Sequence, residues 1–375
     1  MNIERYHWRH YFGGMAFLLI LLQLVSGVFL SLFYLPDLGE AYASVQSLYR
    51  DFPFGAWVRD SHRWIALFLI GAIIIHAIRS LLRKEFLGSE RKVIWLTGGL
   101  LLLPLLGLMV TGAILPWEWK GYWFMEMVPN YLEFIPLIGP GLKQATIESF
   151  SLNRNFIAHV VVIPFITIVL LDFHIFVKLR IRKVALSRYL LKHAVLVLPF
   201  LLAIAVLAIL VAAPTLDPDE IPMPLEETYI PAPEWLFLMP LLPFMYFENF
   251  LAPLLGVYLA FGLFVLLAVL PYIVRQRTKG AQIPGTGTRN IGKGRNWRTR
   301  IVSFLGVSLV VSVVFGALYA GAYRSPTLGC NSCHNVSYGA RMGLPPKAYK
   351  DRKIVPLLDD NQWMVEHWFF PQVVW

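Results

Sequence analysis

The sequence predicts an all-α protein, a polytopic bundle of membrane-spanning helices. Of its 375 residues, 57% are hydrophobic and only 15% are charged, and the mean hydropathy is +0.60. Soluble domains are about one quarter charged, so a large soluble core does not explain this composition. Several apolar runs also reach the roughly 20 residues that a helix needs to cross about 30 Å of hydrocarbon.

Seven apolar runs are predicted to span the membrane. They are 12–35, 63–82, 93–115, 156–177, 193–213, 250–274 and 301–323, here called spans one to seven. The first has no small-residue cleavage site and is too long for a signal-peptide core, which favours a retained helix. The apolar stretch 235–247 is too short to span, so we expect an interfacial or re-entrant segment there.

The formal charge of +10 is unevenly distributed along the chain. The loops after spans two, four and six are basic, whereas the loop after span five carries seven acids and no base. The positive-inside rule then predicts a cytoplasmic N-terminus and places the acidic loop and the C-terminal tail outside. We expect a bacterial inner membrane with this tail in the periplasm. Because topology accounts for the positive charge, nucleic acid is not an expected partner.

Spans two and four carry two histidines each, His62 and His76 at a spacing of 14 residues and His159 and His174 at a spacing of 15. On an α-helix, each pair is separated by about 21–23 Å and returns to within about 40–60° of one face. Both spans run inwards, so we expect His62 beside His159 near the outer surface and His76 beside His174 near the inner one. A lone intramembrane histidine is more often a satisfied buried residue, but four in this register favour two bis-histidine hemes.

Four glycines in the neighbouring spans repeat this spacing. Gly13 and Gly27 in span one, and Gly98 and Gly112 in span three, are each 14 residues apart. A residue without a Cβ leaves room for a macrocycle between the helices. Close helix packing by small residues is the alternative explanation, but the shared spacing favours the heme interpretation.

Several motifs resemble the cytochrome b of cytochrome bc complexes, most closely a cytochrome b6 and its subunit IV joined in one chain. They are Asp-Ser-His-Arg-Trp at 60–64, His76 with Arg79, Thr-Gly-Ala-Ile-Leu-Pro-Trp at 111–117 and Gly-Tyr-Trp at 121–123. The resemblance implies that Arg63 and Arg79 lie near heme propionates, since guanidinium pairs well with carboxylate. Interfacial snorkelling is the alternative for each arginine. The cysteine that tethers an extra heme in the short form is replaced by Tyr11, so we expect no third covalent heme there.

The resemblance also implies three units along the chain. They are a four-helix diheme domain at 1–190, a subunit IV-like three-helix domain with the quinol loop at 191–323, and an outer c-type heme tail at 324–375.

The acidic outer loop contains Pro233-Glu234-Trp235-Leu236, which resembles the family's Pro-Glu-Trp-Tyr motif with Leu236 in place of tyrosine. Quinol oxidation releases two protons, and a carboxylate at the boundary between lipid and water can accept one. The resemblance therefore implies that Glu234 is catalytic, although a lone loop glutamate is usually a solvated acid. For an inner quinone site, position alone suggests candidates, each of which could equally be an interfacial anchor. They are His7, His10, Lys178 and Arg180.

The tail contains Cys330-Asn331-Ser332-Cys333-His334, the attachment pattern of a c-type heme, in which His334 would be one axial ligand. A redox dithiol or half of a zinc site is the alternative. Only 41 residues follow His334, so the sixth ligand stays open. We favour His367 in its aromatic surroundings, and Met364 and Met342 are the other candidates.

The resemblance implies a quinol-oxidising subunit of a quinol–cytochrome c oxidoreductase, with two heme b, one covalently attached heme c and quinone as substrate. One electron would pass to a Rieske iron–sulfur subunit, and the other would cross the membrane through the outer and then the inner heme b. Further implied partners are a cytochrome c subunit or soluble acceptor, membrane lipid and a second copy in a homodimer. The alternatives are a cytochrome b that anchors a dehydrogenase or hydrogenase, and a transporter without heme.

Overall fold

The computed structural model describes residues 11–87, 92–181, 183–213 and 250–274. Within these ranges all regular structure is helical and there is no strand. Five helices there are long and apolar enough to span a membrane, or six if a bent pair is one span. The predicted fold class, a polytopic all-α membrane bundle, is therefore confirmed. The seventh predicted span, the segment 235–247 and the C-terminal tail lie outside the described residues.

The helices are numbered here in chain order. Their bounds are α1 Tyr11–Ser31, α2 Ala41–Arg50, α3 Gly55–Leu82, α4 Lys92–Ile114, α5 Trp119–Glu133, α6 Gly139–Ser149, α7 Leu152–Phe176, α8 Val177–Ile181, α9 Leu186–Leu210 and α10 Leu254–Ile273.

Several helix ends differ from the predicted spans; α7 starts at Leu152 rather than at residue 156, and α9 at Leu186 rather than at residue 193. Helix α1 ends at Ser31, and Pro36 prevents it from extending to residue 35 because proline disfavours helical geometry in the residue before it. Helix α3 starts at Gly55, eight residues before the apolar run begins. Its first turns include polar residues such as Asp60, which is only 2% exposed and is hydrogen-bonded inside the protein. An apolar run in the sequence does not reveal such residues as helical.

The core of the bundle is formed by α1, α3, α4 and α7. Buried side chains from all four helices make one apolar cluster, which includes Met15, Leu19, Leu69, Leu105 and Leu171. Many outward-facing apolar side chains are instead exposed, as expected of helices surrounded by lipid.

The two later helices contact different parts of the core. Helix α9 packs against α1 and α3, whereas α10 packs against α4. Trp95 of α4 donates its indole N–H to the carbonyl of Leu267 at 2.6 Å, and a Cβ built on Gly99 would lie 3.6 Å from Cβ of Ala268, in ordinary contact. Helices α9 and α10 therefore lie against different helices of the four-helix core.

Helix α9 contains a bend of 62° between Leu186–Val195 and Val197–Leu210. Pro199 accounts for it, because proline has no N–H to donate to the carbonyl of Val195 and its ring clashes with that carbonyl. The helix begins at Leu186, so the proposed unit boundary at 190/191 falls within it.

Candidate functional site

The four intramembrane histidines form two pairs in the structure. The rings of His62 and His159 have centroids 6.5 Å apart at an interplanar angle of 68°, and those of His76 and His174 are 6.4 Å apart at 88°. Two imidazoles that bind one metal from opposite sides, each at about 2 Å, place their centroids about 6 Å apart. Each pair therefore has the separation that one iron between two histidines requires.

Each of the four spaced glycines lies against one of these rings. A Cβ built on Gly13 would lie 2.9 Å from Cε1 of His76, and one on Gly27 would lie 3.4 Å from Cε1 of His62. In helix α4, the corresponding distances are 2.7 Å from Gly98 to His174 and 2.8 Å from Gly112 to His159. In the structure, the glycines therefore make room for the imidazole rings themselves, where the sequence suggested room for a macrocycle.

Hydroxyl groups hold the two rings of the outer pair. Ser26 Oγ donates to the carbonyl of Leu22 at 2.8 Å, and Nδ1 of His62 lies 2.8 Å from the same hydroxyl. The serine proton is already used, so the hydroxyl accepts a hydrogen bond from Nδ1–H. Thr111 Oγ1 does the same for His159: it donates to Gly107 O at 2.7 Å and lies 2.9 Å from Nδ1.

On the inner side, a backbone carbonyl has this role. Nδ1 of His174 lies 2.8 Å from the carbonyl oxygen of Ile94, which can only accept, so Nδ1 carries the proton. In His62, His159 and His174 the Nε2 lone pair is therefore left to bind a metal. A hydrogen bond of this kind fixes the tautomer and the orientation of a histidine ligand.

Two π-helical turns explain why the spacing is 15 in α7 and 14 in α3. His159 lies in the π turn Ala158–Val162 and His174 lies in the π turn Asp172–Phe176. A π turn bonds i to i+5 and holds more residues than an α turn. Fifteen residues with π turns thus bring the second histidine to nearly the same face as fourteen residues of regular α-helix.

The two predicted propionate arginines have different surroundings. Arg79 follows His76 by one helical turn, is 9% exposed, and has its Nη2 atom 3.5 Å from Oε1 of Glu85. The guanidinium of Arg63 lies 5.7 Å from the ring centroid of Trp64. Arg79 is thus a buried cation beside the inner histidine pair, and Arg63 is a partly exposed one beside the outer pair.

Other predicted site residues lie outside the described ranges. They are Glu234, Cys330, Cys333, His334, His367, Met364, Met342, His7 and His10. Of the inner quinone candidates, Arg180 donates to both oxygens of Asp172 at 2.8 and 3.0 Å, and both side chains are largely exposed. Asp172 lies two residues before His174, at the edge of an open cleft that Arg180 and Lys183 also line.

Sequence reasoning did not find the hydroxyls that hold the outer pair. A signal is present in the sequence, because Ser26, Thr97 and Thr111 each directly precede one of the four spaced glycines. Thr97 Oγ1 lies 3.5 Å from Nδ1 of His174, a longer and weaker contact than those of Ser26 and Thr111. Small and hydroxyl side chains suit close helix packing in general, so the pattern has no meaning until the histidines are placed.

The residues present fit heme. Two facing imidazoles at each of two depths, Nε2 lone pairs left for a metal, and glycine positions that a Cβ would fill form the donor set and the space that bis-histidine iron requires. The fold and these pairs define a multi-pass membrane cytochrome.

Comparison with known proteins identifies the family. The family model for cytochrome b/b6/petB matches residues 3–180. Cytochrome b6 of Tupiella akineta is 33% identical over 180 residues, which are 47% of this chain and 82% of that protein. Cytochrome b6 of Prochlorothrix hollandica is 32% identical over 47% of this chain and 79% of its own. The chain therefore belongs to the cytochrome b/b6 family, which confirms the resemblance and implies heme b as the cofactor.

A solved structure extends the similarity of fold beyond the matched family region. A chain of a hyperthermophilic respiratory Complex III has a TM-score of 0.60 with 21% sequence identity, and the match covers 88% of each chain. The match in sequence ends at residue 180, close to the end of α8. The fold that the two chains share thus includes helices from both halves of this protein.

Proposed function

We propose that this chain is the quinol-oxidising cytochrome b subunit of a cytochrome bc-type complex. The observation that carries the proposal is the presence of two facing histidine pairs at two depths of one bundle. The similarity to cytochrome b6 and to a Complex III chain supports an assembly of the bc type.

In this proposal, His62 and His159 hold the outer heme b, and His76 and His174 hold the inner one. Heme b, when bound, supplies one-electron transfer. Two histidine ligands on each iron would leave no position open for a small ligand, which would suit electron transfer. Ser26, Thr111 and the carbonyl of Ile94 keep the rings in the orientation and tautomer that ligation requires.

The outer loop would supply the chemistry of quinol. Glu234 accepts a proton from the quinol hydroxyl in this proposal, while Pro233 stiffens the backbone that carries it. Quinol releases two electrons, and the two b hemes would carry only one of them across the membrane. The other electron would pass to a separate acceptor, for which we propose a Rieske iron–sulfur subunit. A c-type heme held by Cys330, Cys333 and His334 would lie on the same outer side.

The test is heme analysis of the purified protein and one ligand variant. Pyridine hemochrome analysis is expected to give two heme b to one heme c. His174→Ala is expected to remove the inner heme b alone, since His62 and His159 are untouched. His193→Gln is a matched control, because His193 is a fully buried membrane histidine outside both pairs. Retention of both b hemes in His174→Ala contradicts the assignment, and loss of heme in both variants indicates a general failure to fold.

Co-purification separates this function from that of a dehydrogenase anchor. A Rieske-type subunit in the isolated complex supports the bc assignment. A dehydrogenase or hydrogenase subunit in its place rejects quinol bifurcation but leaves the two histidine pairs as heme sites.

A further inference from the structure

A buried carboxylate joins three segments of the chain at the outer end of the bundle. Asp60 of α3 is 2% exposed and lies two residues before His62. A single oxygen, Oδ1, accepts hydrogen bonds from the hydroxyl of Tyr49 at 2.6 Å, from Nη1 of Arg59 at 3.3 Å and from the backbone N–H of Ala213 at 3.2 Å. The carboxylate thus connects α2, α3 and a residue 153 positions later in the sequence.

The contact with Ala213 belongs to a longer attachment between α3 and the end of α9. Trp57 donates its indole N–H to the carbonyl of Ala205 at 3.2 Å, and Trp64 donates to that of Val211 at 3.1 Å. The last backbone groups of a helix have no partner within the helix. Trp64 provides such a partner for Val211, which directly follows Leu210, the last residue of α9, whereas Trp57 binds a carbonyl inside the helix.

A buried carboxylate at this position is costly unless its charge is compensated. Arg59, 11% exposed at its side chain, provides the opposite charge and also donates to the hydroxyl of Tyr49 at 2.7 Å. Burial raises the pKa of Tyr49, so its hydroxyl keeps its proton and remains a donor. Replacing such an ion pair by apolar side chains is often neutral or stabilising, so stability alone does not explain why Asp60 and Arg59 are buried here. We infer that the pair fixes one arrangement of these chain segments.

The chain segment that follows Ala213 is the acidic outer loop, which carries Glu234. We propose that Asp60 is a positioning residue for quinol oxidation, because it fixes the point where this loop leaves the bundle beside the outer histidine pair. This inference rests on the proposed function. Asp60 acts through the backbone at Ala213 and does not itself touch the quinol.

Two substitutions in the full complex separate the carboxylate's geometry from its charge. Asp60→Leu removes every acceptor, whereas Asp60→Asn keeps one side-chain oxygen that can accept from the N–H of Ala213. We expect Asp60→Leu to speed amide hydrogen exchange at 211–213 by about tenfold or more, since hydrogen bonds to charged groups contribute more than one factor of ten. We expect Asp60→Asn to speed it less than Asp60→Leu does, because a neutral amide oxygen still accepts the hydrogen bond.

The second readout is quinol kinetics. We expect Asp60→Leu to raise KM for quinol severalfold, with both b hemes retained in the spectrum, and Asp60→Asn to restore KM towards the wild-type value. A faster exchange without any change in KM or kcat rejects the positioning role. Unchanged exchange in Asp60→Leu rejects the attachment itself.

Two further outcomes are also decisive. If Asp60→Leu does not assemble, Asp60→Ala removes the same acceptors with a smaller side chain, and unchanged exchange at Ala213 in that variant overturns the proposal. If the wild-type complex does not oxidise quinol at all, the proposed function fails, whereas hydrogen exchange still decides whether Asp60 anchors the loop.

Discussion

The contact between Gly98 and His174 yields the sharpest prediction. In Gly98→Ala, the new Cβ would lie 2.7 Å from Cε1 of His174, whereas ordinary contact begins at about 3.4 Å. The ring must therefore retreat by about 0.7 Å. Nδ1 of His174 is bonded to the carbonyl of Ile94, so the ring cannot swing away without losing that bond. Metal–ligand distances tolerate only about 0.2 Å, so we expect Gly98→Ala to lose the inner heme b or to shift its potential markedly.

The assay is a reduced-minus-oxidised spectrum with a redox titration that resolves the two b hemes. The outer heme b should keep its amplitude and its midpoint potential, because Gly98 does not contact His62 or His159. Gly71→Ala is the matched control, since a Cβ on Gly71 meets nothing within 4 Å. Alanine is the better helix former by up to about 1 kcal/mol, so neither substitution should weaken its helix. Equal spectra for Gly98→Ala and Gly71→Ala would refute the reasoning.

Four more outcomes are expected. Gly27→Ala should be milder than Gly98→Ala, because its Cβ would lie 3.4 Å from the His62 ring; heme content after purification compares the two, and a greater loss in Gly27→Ala contradicts the graded contact. Ser26→Ala should raise the midpoint potential of the outer heme b alone, since an imidazole whose N–H loses its acceptor donates less charge to iron; an equal shift of both hemes in the titration speaks against this role. Glu234→Gln should slow quinol oxidation at least tenfold with all hemes intact, and unchanged turnover in stopped-flow kinetics removes its proposed role. Cys330→Ser should abolish the c-type band and leave both b-type bands, and a retained covalent heme on a denaturing gel argues against attachment there.

The fold class, the approximate positions of the spans within the described residues and the pairing of the histidines were accessible from the sequence. An apolar run of about 20 residues crosses lipid as a helix, because only a helix satisfies all backbone hydrogen bonds within the segment itself. Spacings of 14 and 15 residues then restrict which side chains share a face, which is why His62 and His76 could be assigned to different depths. The glycines at the same spacing pointed to the same positions.

Only the tertiary structure decided what surrounds those histidines. The carbonyl of Ile94 and the hydroxyls of Ser26 and Thr111 contact rings on other helices, and the pattern of one helix carries no information about its neighbour. The π turns in α7 could not be read from the sequence either, because local sequence does not distinguish an extra residue in a turn from a regular helix. Asp60 shows the same limit most clearly: its partner Ala213 is 153 residues away, and a contact at that distance exists only once α3 and α9 have packed together.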